Sequence, residues 1–453
     1  MVISDTSQGN RREASGLRLA ATGDSFVTRR ISPRHLGLRT IAESLADCEV
    51  RFTNFEITAH DDRGYPAAVS GGTWAIADPR VITDLTELGF NMMSTANNHA
   101  MDYSSDGLLA TAENLEQAGV TFAGTGKDLA AASAPSYLET AEHRVALIAV
   151  TSTFDKSWVA GDQRRDMRGR PGVNALGHQA RYSVSAEQLG QLRDISKTTG
   201  INAEWDQSVA AGYKQPWDES QGLYFGGHVF TCDKGPTTTA NHADLVRLIQ
   251  AIRRARNEAD YVVVSLHAHE MNGIDIERPA EFVEEFCRSA IDAGADAIIG
   301  HGPHLVRGIE IYKGCPIFYS LGNFIFENET VKQLPADFYE AYGLDGQADV
   351  SQALATRSGD WTRGYAVDPA IWSAVVARWE VTEDGLDIVL DPIDLGWGEP
   401  HYRRGLPQPA NNTEVLERLQ RLSAVYGTEI SIENGLGRIR IEKPSMEASD
   451  AAS

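Results

Sequence analysis

The sequence predicts an α/β protein, a layered α/β sandwich carrying one large irregular insertion. Strand-like and helix-like stretches alternate along most of the chain, the pattern of helices packed on sheets. Five apolar runs end in Asp, Glu, Asn or His, at the carboxyl ends where open α/β sheets place their sites. From Phe154 to Ala240 the rhythm breaks, and no long apolar run interrupts a stretch rich in Gly, Gln, Asp and Trp.

Taken in order, Leu17–Asp24 reads as a first strand that ends in a Gly23-Asp24 turn, with a helix near Leu38–Ala46. Val50–Glu56 is the second strand, followed by a polar loop to Thr73. Asp78 caps a helix through Leu88, since Pro79 suits its first turn. Asn91–Thr95 is a buried strand that runs into Asn97-Asn98-His99, and Asp106–Ala118 is a helix closed by Gly119. Val120–Ala123 and Val145–Val150 are further strands. Asn241–Glu258 carries Leu245, Leu248, Ile249 and Ile252 on one helical face and feeds the strand Tyr261–His267. Phe282–Ala293 is a second such helix, and it feeds Ala297–Ile299 and the turn Gly300-His301-Gly302-Pro303-His304. Ile309–Tyr312 and Cys315–Leu321 form a hairpin, and Ala374–Ile393 returns to alternating strands. One domain over residues 17–445 is expected, with disordered tails at 1–16 and 446–453. Within it, 154–240 is an insertion or lid marked by Trp158, Trp205 and Trp217, and 327–372 is an irregular flank of the same mouth.

Composition narrows the function classes. No run of eighteen apolar residues occurs, so no membrane partner is expected, and the polar start from Met1 to Ser15 lacks a signal-peptide core. A cytoplasmic location is the expectation. Lys plus Arg number 41 against 63 Asp plus Glu, a net charge of −22 that disfavours nucleic acid as a partner. The partner expected is a peptide or small-molecule substrate. Gln163–Arg170 is a local basic patch, either a solvated loop or a clamp for a carboxylate or acidic peptide. Cys48, Cys232, Cys287 and Cys315 sit far apart without CxxC spacing and read as reduced thiols.

Two histidines three positions apart at a strand end are well placed as metal ligands, and mixed oxygen and imidazole donors suit a divalent transition metal. Alternation along an extended chain puts His267 and His269 on one side. That makes His269 a candidate acid or base, or else an exposed loop histidine.

Gly23-Asp24, Asn54-Phe-Glu56, Ala96–Asp102 with Gly107-Leu108, Ser265–Glu270, Gly300–His304 and Tyr319–Phe324 occur in order. Together they resemble the CapA family, named for poly-γ-glutamate capsule synthesis, whose fold is that of the calcineurin-like metallophosphoesterases. The resemblance spans about Leu17 to Phe326. It implies a site for one or two divalent ions held by the carboxylates of Asp24 and Glu56, the carbonyl oxygen of Asn98 and the imidazoles of His267, His301 and His304. It also implies that His99 assists proton transfer, oriented by Asp102. Two departures stand out. Asp24 is followed by Ser25 and Phe26 rather than by the Asp-x-His of the phosphoesterases, and His301-Gly-Pro-His304 replaces His-Pro-His.

A Lewis-acidic ion can activate water for hydrolysis or acidify a Cα–H beside a carbonyl. The first expectation is a peptide Cα epimerase, similar to the enzyme that inverts the carboxyl-terminal tryptophan of a lasso-peptide precursor, with His99 and His269 as the two proton-handling groups. The alternatives are a metal-dependent hydrolase of a phosphoester, peptide or γ-glutamyl bond, and a non-catalytic scaffold for polymer export.

Overall fold

The computed structural model describes residues 14–235, 237–382 and 385–442. Two sheets stack face to face. The larger, ten-stranded sheet runs Ser431–Glu433, Leu436–Glu442, Gly385–Asp394, Ser373–Thr382, Arg18–Phe26, Val50–Phe55, Met92–Ser94, Thr121–Ala123, with Asn323–Phe326 pairing alongside Arg18–Phe26. The six-stranded sheet runs Val306–Tyr312, Cys315–Leu321, Ala297–His301, Tyr261–His267, Arg144–Thr151, Ser136–Glu139. Leu19, Phe52 and Met92 from one sheet meet Leu147, Val263, Ile299 and Phe318 from the other in a continuous core. Strands apolar on both faces are what burial between two layers demands.

Helices close the outer faces. His242–Arg256 and Glu281–Asp292 bury Leu248, Ile252, Phe282 and Phe286 against the back of the six-stranded sheet. Leu36–Ser44 and Arg80–Glu87 cover the other sheet through Leu38, Ile41, Val81 and Leu85. Asn241 accepts from the backbone of Ala243 and Asp244, capping its helix, and Asp78 accepts from Arg80 N beside Pro79. The expected strands, helices and hairpin are all present, shifted by up to three residues at their ends.

Three expectations need adjustment. The segment 154–240 is not irregular throughout. His178–Ser183, Leu223–Phe225, His228–Thr231 and Thr238–Ala240 form a four-stranded sheet, with helices Ala186–Thr199 and Ala203–Ala210 beside it. This unit rests on the start of the Glu281–Asp292 helix. Glu281 accepts from the backbone of Thr238 at 3.2 Å, and His178 stacks on Phe282 at 4.4 Å. Among the described residues, no hydrogen bond links residues 178–240 to the nine candidate site side chains. The flank 327–372 holds short helices at Ala336–Ala341 and Val350–Arg357. Residues 14–16, expected in the amino-terminal tail, belong to the fold: Ala14 is buried, and Gly16 N donates to Val381 O. Residues 1–13 and 446–453 lie outside the described residues. Cys48, Cys232, Cys287 and Cys315 are free thiols. Among the described residues, no helix is long and apolar enough to cross a membrane.

Candidate metal centre

Parallel register sets the site. Asp24 lies opposite Asn54 and Asn323, and His267 lies opposite His301, so neighbouring strand ends of each sheet present their polar residues together. The two sheets meet at this edge, with His301 Nδ1 3.4 Å from Asp24 Oδ1. Close approach requires small residues here. A Cβ on Gly23 would stand 1.8 Å from Gly322 O, and Asp24 N donates to that same oxygen at 3.0 Å. Gly302, at φ +118°, lets its N–H reach Asp24 Oδ2 at 2.9 Å. His304 follows at φ 61°, a conformation uncommon outside glycine and concentrated at functional sites.

Two groups of ligand-type atoms result. Asp24, His267 and His301 offer one set, and Glu56, His269 and His304 the other. His267 stands between them, its Nδ1 2.9 Å from His301 Nδ1 and its Nε2 3.1 Å from His269 Nε2. His267 Nε2 is also 3.6 Å from Glu56 Oε1, and His304 Nδ1 is 3.7 Å from Asp24 Oδ2. Five of the six residues read as ligands therefore converge. His269 lies with them, because alternation along the extended chain turns it to the same side as His267. Burial pushes its pKa down to about 3, with the neighbouring His304 acting in the same direction, which leaves a neutral ring with a lone pair.

A cation fits what the chain leaves open. Among the described residues, both oxygens of the fully buried Glu56 and Oδ1 of Asn98 have no hydrogen-bond partner, in an interior where such atoms are normally satisfied. Burial drives the Glu56 carboxyl well above its ordinary range, and the carboxylates of Asp24 and Asp102 add to that. Burial also pushes Asp24 up, but His301, His267 and His304 outweigh it and hold that carboxyl low. His267 and His304 are pushed down by burial. Imidazole nitrogens, carboxylate oxygens and a carboxamide oxygen make up the mixed donor set a divalent ion takes.

Supporting partners orient the donors. Asn54 Nδ2 donates to Asp24 Oδ1 at 2.8 Å, Asn323 Oδ1 lies 2.9 Å from His304 Nδ1, and Ser265 Oγ lies 2.7 Å from His301 Nε2. Asn97 donates to Phe55 O at 2.9 Å and accepts from His99 N at 3.1 Å. Asn54, Asn97, Ser265 and Asn323 fall within the motifs that mark the site, but nothing in the sequence announces these supporting roles. Beside the cluster, His99 Nδ1 is 2.7 Å from Asp102 Oδ2, and Asp102 also accepts from Ala75 N at 2.8 Å and Gly71 N at 3.3 Å. Asp102 is thus committed to His99 and the 71–75 loop rather than to capping a helix. Tyr365, from the irregular flank, was missed: its ring lies 5.3 Å from that of His304. A lone tyrosine in a segment without periodicity carries no signal of such a place.

An α/β sandwich with buried carboxylates and imidazoles gathered at its strand ends defines a protein with a candidate divalent-metal centre. The chain belongs to the bacterial capsule synthesis protein family, PGA_cap, whose model matches residues 18–328. It is 36% identical over 445 residues to the uncharacterized proteins y4sH and y4uA of Sinorhizobium fredii, covering 94% of this chain and 93% of each of them. Capsule biosynthesis protein CapA of Bacillus anthracis is 24% identical over 324 residues, 70% of this chain and 61% of that protein. A hypothetical protein of known structure from Thermus thermophilus aligns over 87% of this chain and 98% of its own at 13% identity and a TM-score of 0.33, too loose a superposition to argue from.

Proposed function

We propose that the protein is a divalent-metal-dependent hydrolase, with an amide of the γ-glutamyl type as its first substrate class. The observation that carries this reading is the buried Glu56, its oxygens without a partner among the described residues, grouped with His269 and His304 next to the Asp24–His267–His301 group and an intact His99–Asp102 pair. Asp24, Glu56, Asn98, His267, His269, His301 and His304 would hold the ion or ions. When bound, such a cation polarises the oxygen of the bond to be broken and lowers the pKa of water. The residues of the chain supply the rest. Asp102, fixed by two backbone N–H groups, sets the tautomer of His99, so that the remaining ring nitrogen is free to hand a proton to the leaving group. Phe26 packs its ring edge at 5.0 Å against His99 and limits where that imidazole can turn. The γ-glutamyl preference rests on the family's capsule-synthesis description and the CapA relatives.

Epimerisation is the second reading. It needs a base on one face of Cα and a proton source on the other. His99 is available, while His269 lies among the ligand-type groups, which argues against its serving as the second proton-handling group. The experiment is one incubation with divalent metal in D₂O, using γ-glutamyl peptides and any ribosomal precursor peptide encoded beside the gene, read by mass spectrometry and chiral analysis. Cleavage with gain of water supports the hydrolase. One deuteron gained with an intact chain and a D-residue replaces it with the epimerase. If protein purified without chelator holds no cation and none raises its melting temperature, the metal-enzyme reading is lost and the scaffold reading remains.

A further inference from the structure

The irregular flank contributes a cation beside this centre. Arg357, the last residue of the Val350–Arg357 helix, donates from Nη1 to Thr73 Oγ1 at 2.6 Å and to Gly72 O at 3.3 Å. Its guanidinium carbon lies 5.6 Å from the Phe338 ring centroid, so part of its surface is apolar. Among the described residues no carboxylate pairs with it, and Glu329 on the same flank is taken by Arg404 and His401. Its Nε and Nη2 have no hydrogen-bond partner among the described residues. Those two nitrogens form the parallel edge that matches the two oxygens of a carboxylate.

This cation is one short loop away from the site. Gly71, next to the Gly72 and Thr73 that Arg357 grips, accepts from Asn98 Nδ2 at 3.4 Å and donates to Asp102 Oδ1 at 3.3 Å. Tyr365, eight residues on, returns to the same mouth against His304 and Phe326 at 5.3 and 5.6 Å. It remains 42% exposed, and its hydroxyl bonds no described group. A half-buried guanidinium with an open edge is costly to keep unless an anion completes it.

We propose that Arg357 and Tyr365 form an anion subsite that seats a carboxylate of the substrate beside the Asp24–Glu56–histidine cluster. The inference deepens the hydrolase reading and rests on it for what lies next to the carboxylate. A γ-linked glutamyl unit carries a free carboxylate a few bonds from its amide, which an ordinary peptide unit lacks unless its residue is Asp or Glu. The subsite also answers the charge problem, since a chain of net charge −22 needs a local cation to admit an anionic substrate.

The test uses γ-glutamyl-p-nitroanilide and its α-carboxamide analogue with the full-length, Mn²⁺-loaded protein, read by calorimetric binding and by release of nitroaniline. The wild type is expected to bind the acid about tenfold or more tighter than the amide, the scale of a lost charge-assisted pair. R357Q should bring that ratio to about one and R357K restore part of it. Y365F should reduce the ratio less. Mn²⁺ affinity and melting temperature should stay at wild-type values in all three. Binding preference without turnover in the wild type, abolished in R357Q, keeps the subsite and sinks the hydrolase reading. Hydrolysis of both analogues alike overturns the subsite and leaves the hydrolase. Failure of both analogues to bind, an unchanged ratio in R357Q, or lost Mn²⁺ affinity in R357Q also overturns it.

Discussion

Glu56 shows how a single side chain reports on what it is meant to hold. A buried carboxylate with neither oxygen satisfied opposes folding unless a cation or proton completes it. Glu56→Gln removes that charge, so the metal-free variant should melt at or above the wild-type temperature while its Mn²⁺-induced rise in melting temperature shrinks at least to the equivalent of a tenfold weaker site. A variant with the full metal-induced rise would remove Glu56 from the ligand set. Asp102→Asn tests the neighbouring pair differently: it should lower kcat about a hundredfold through the wrong His99 tautomer, with KM and metal content held. Equal losses in metal content would mean that Asp102 supports the ligands instead. His60 carries a pH prediction. Buried against Tyr103 at 5.2 Å, with neither ring nitrogen partnered among the described residues, it has a pKa lowered to about 4 by burial. Between its ordinary value of 6.5 and about 4 the unfolded chain binds a proton that the native ring refuses, so stability falls as pH drops through that window. His60→Phe should flatten this part of the metal-free melting-temperature profile, and an unchanged slope from pH 7 to 4 would refute it.

At the scale of elements, the strand ends were legible because an apolar run that terminates in Asp, Asn or His announces both its burial and its direction. Asp24, Asn98, His267 and His301 were singled out that way. The small sheet within 154–240 was not, for a physical reason. Its helix Ala186–Thr199 buries nothing, so no apolar stripe marks it, although Ser185 and Gln188 form a capping box that was there to be read. His269 was placed on the correct side by alternation, but only the fold shows Glu56 and His304 converging on it. The turn that carries His269 depends on an element the sequence did not single out. Arg307, buried in the strand Val306–Tyr312, donates to Ile276 O at 3.0 Å, Ala268 O at 3.3 Å and His269 O at 3.2 Å. It pins both the histidine turn and the hairpin formed by Met271–Asn272 and Asp275–Pro279. Arg307→Met fills the space but leaves three carbonyls without that donor, at a cost of about 3 kcal/mol. Amide exchange should quicken over residues 268–276 and Mn²⁺ affinity should drop, while the central strands keep their protection. Uniform loss of protection would instead make Arg307 a global stabiliser.

The whole molecule is a sandwich whose working edge is built by the two large sheets, and the small sheet is fastened to it through few groups. Between residues 182 and 235 only Val229 is buried, so this unit adds little to the core. Its anchors lie outside that interval: His178 on Phe282, Gly177 N on Asp244, and the Asn241 cap. Arg181 N donates to Thr237 O, and Ala180 lies opposite Thr238, so the two strands that enter and leave the unit face each other at the point of excision. Replacing 182–236 by Asn-Gly would close them as a two-residue hairpin, a turn whose positive-φ residues match strand twist. The shortened protein should fold, melt within a few degrees of the wild type and show the same Mn²⁺-induced stabilisation, because every ligand-type residue and its supporting partners are retained. Scanning calorimetry with and without Mn²⁺ decides the matter. Failure to fold would mean that the unit is part of the core despite its exposure. Loss of turnover with folding and Mn²⁺ binding intact would assign it to holding the substrate, and unchanged turnover would exclude it as a lid.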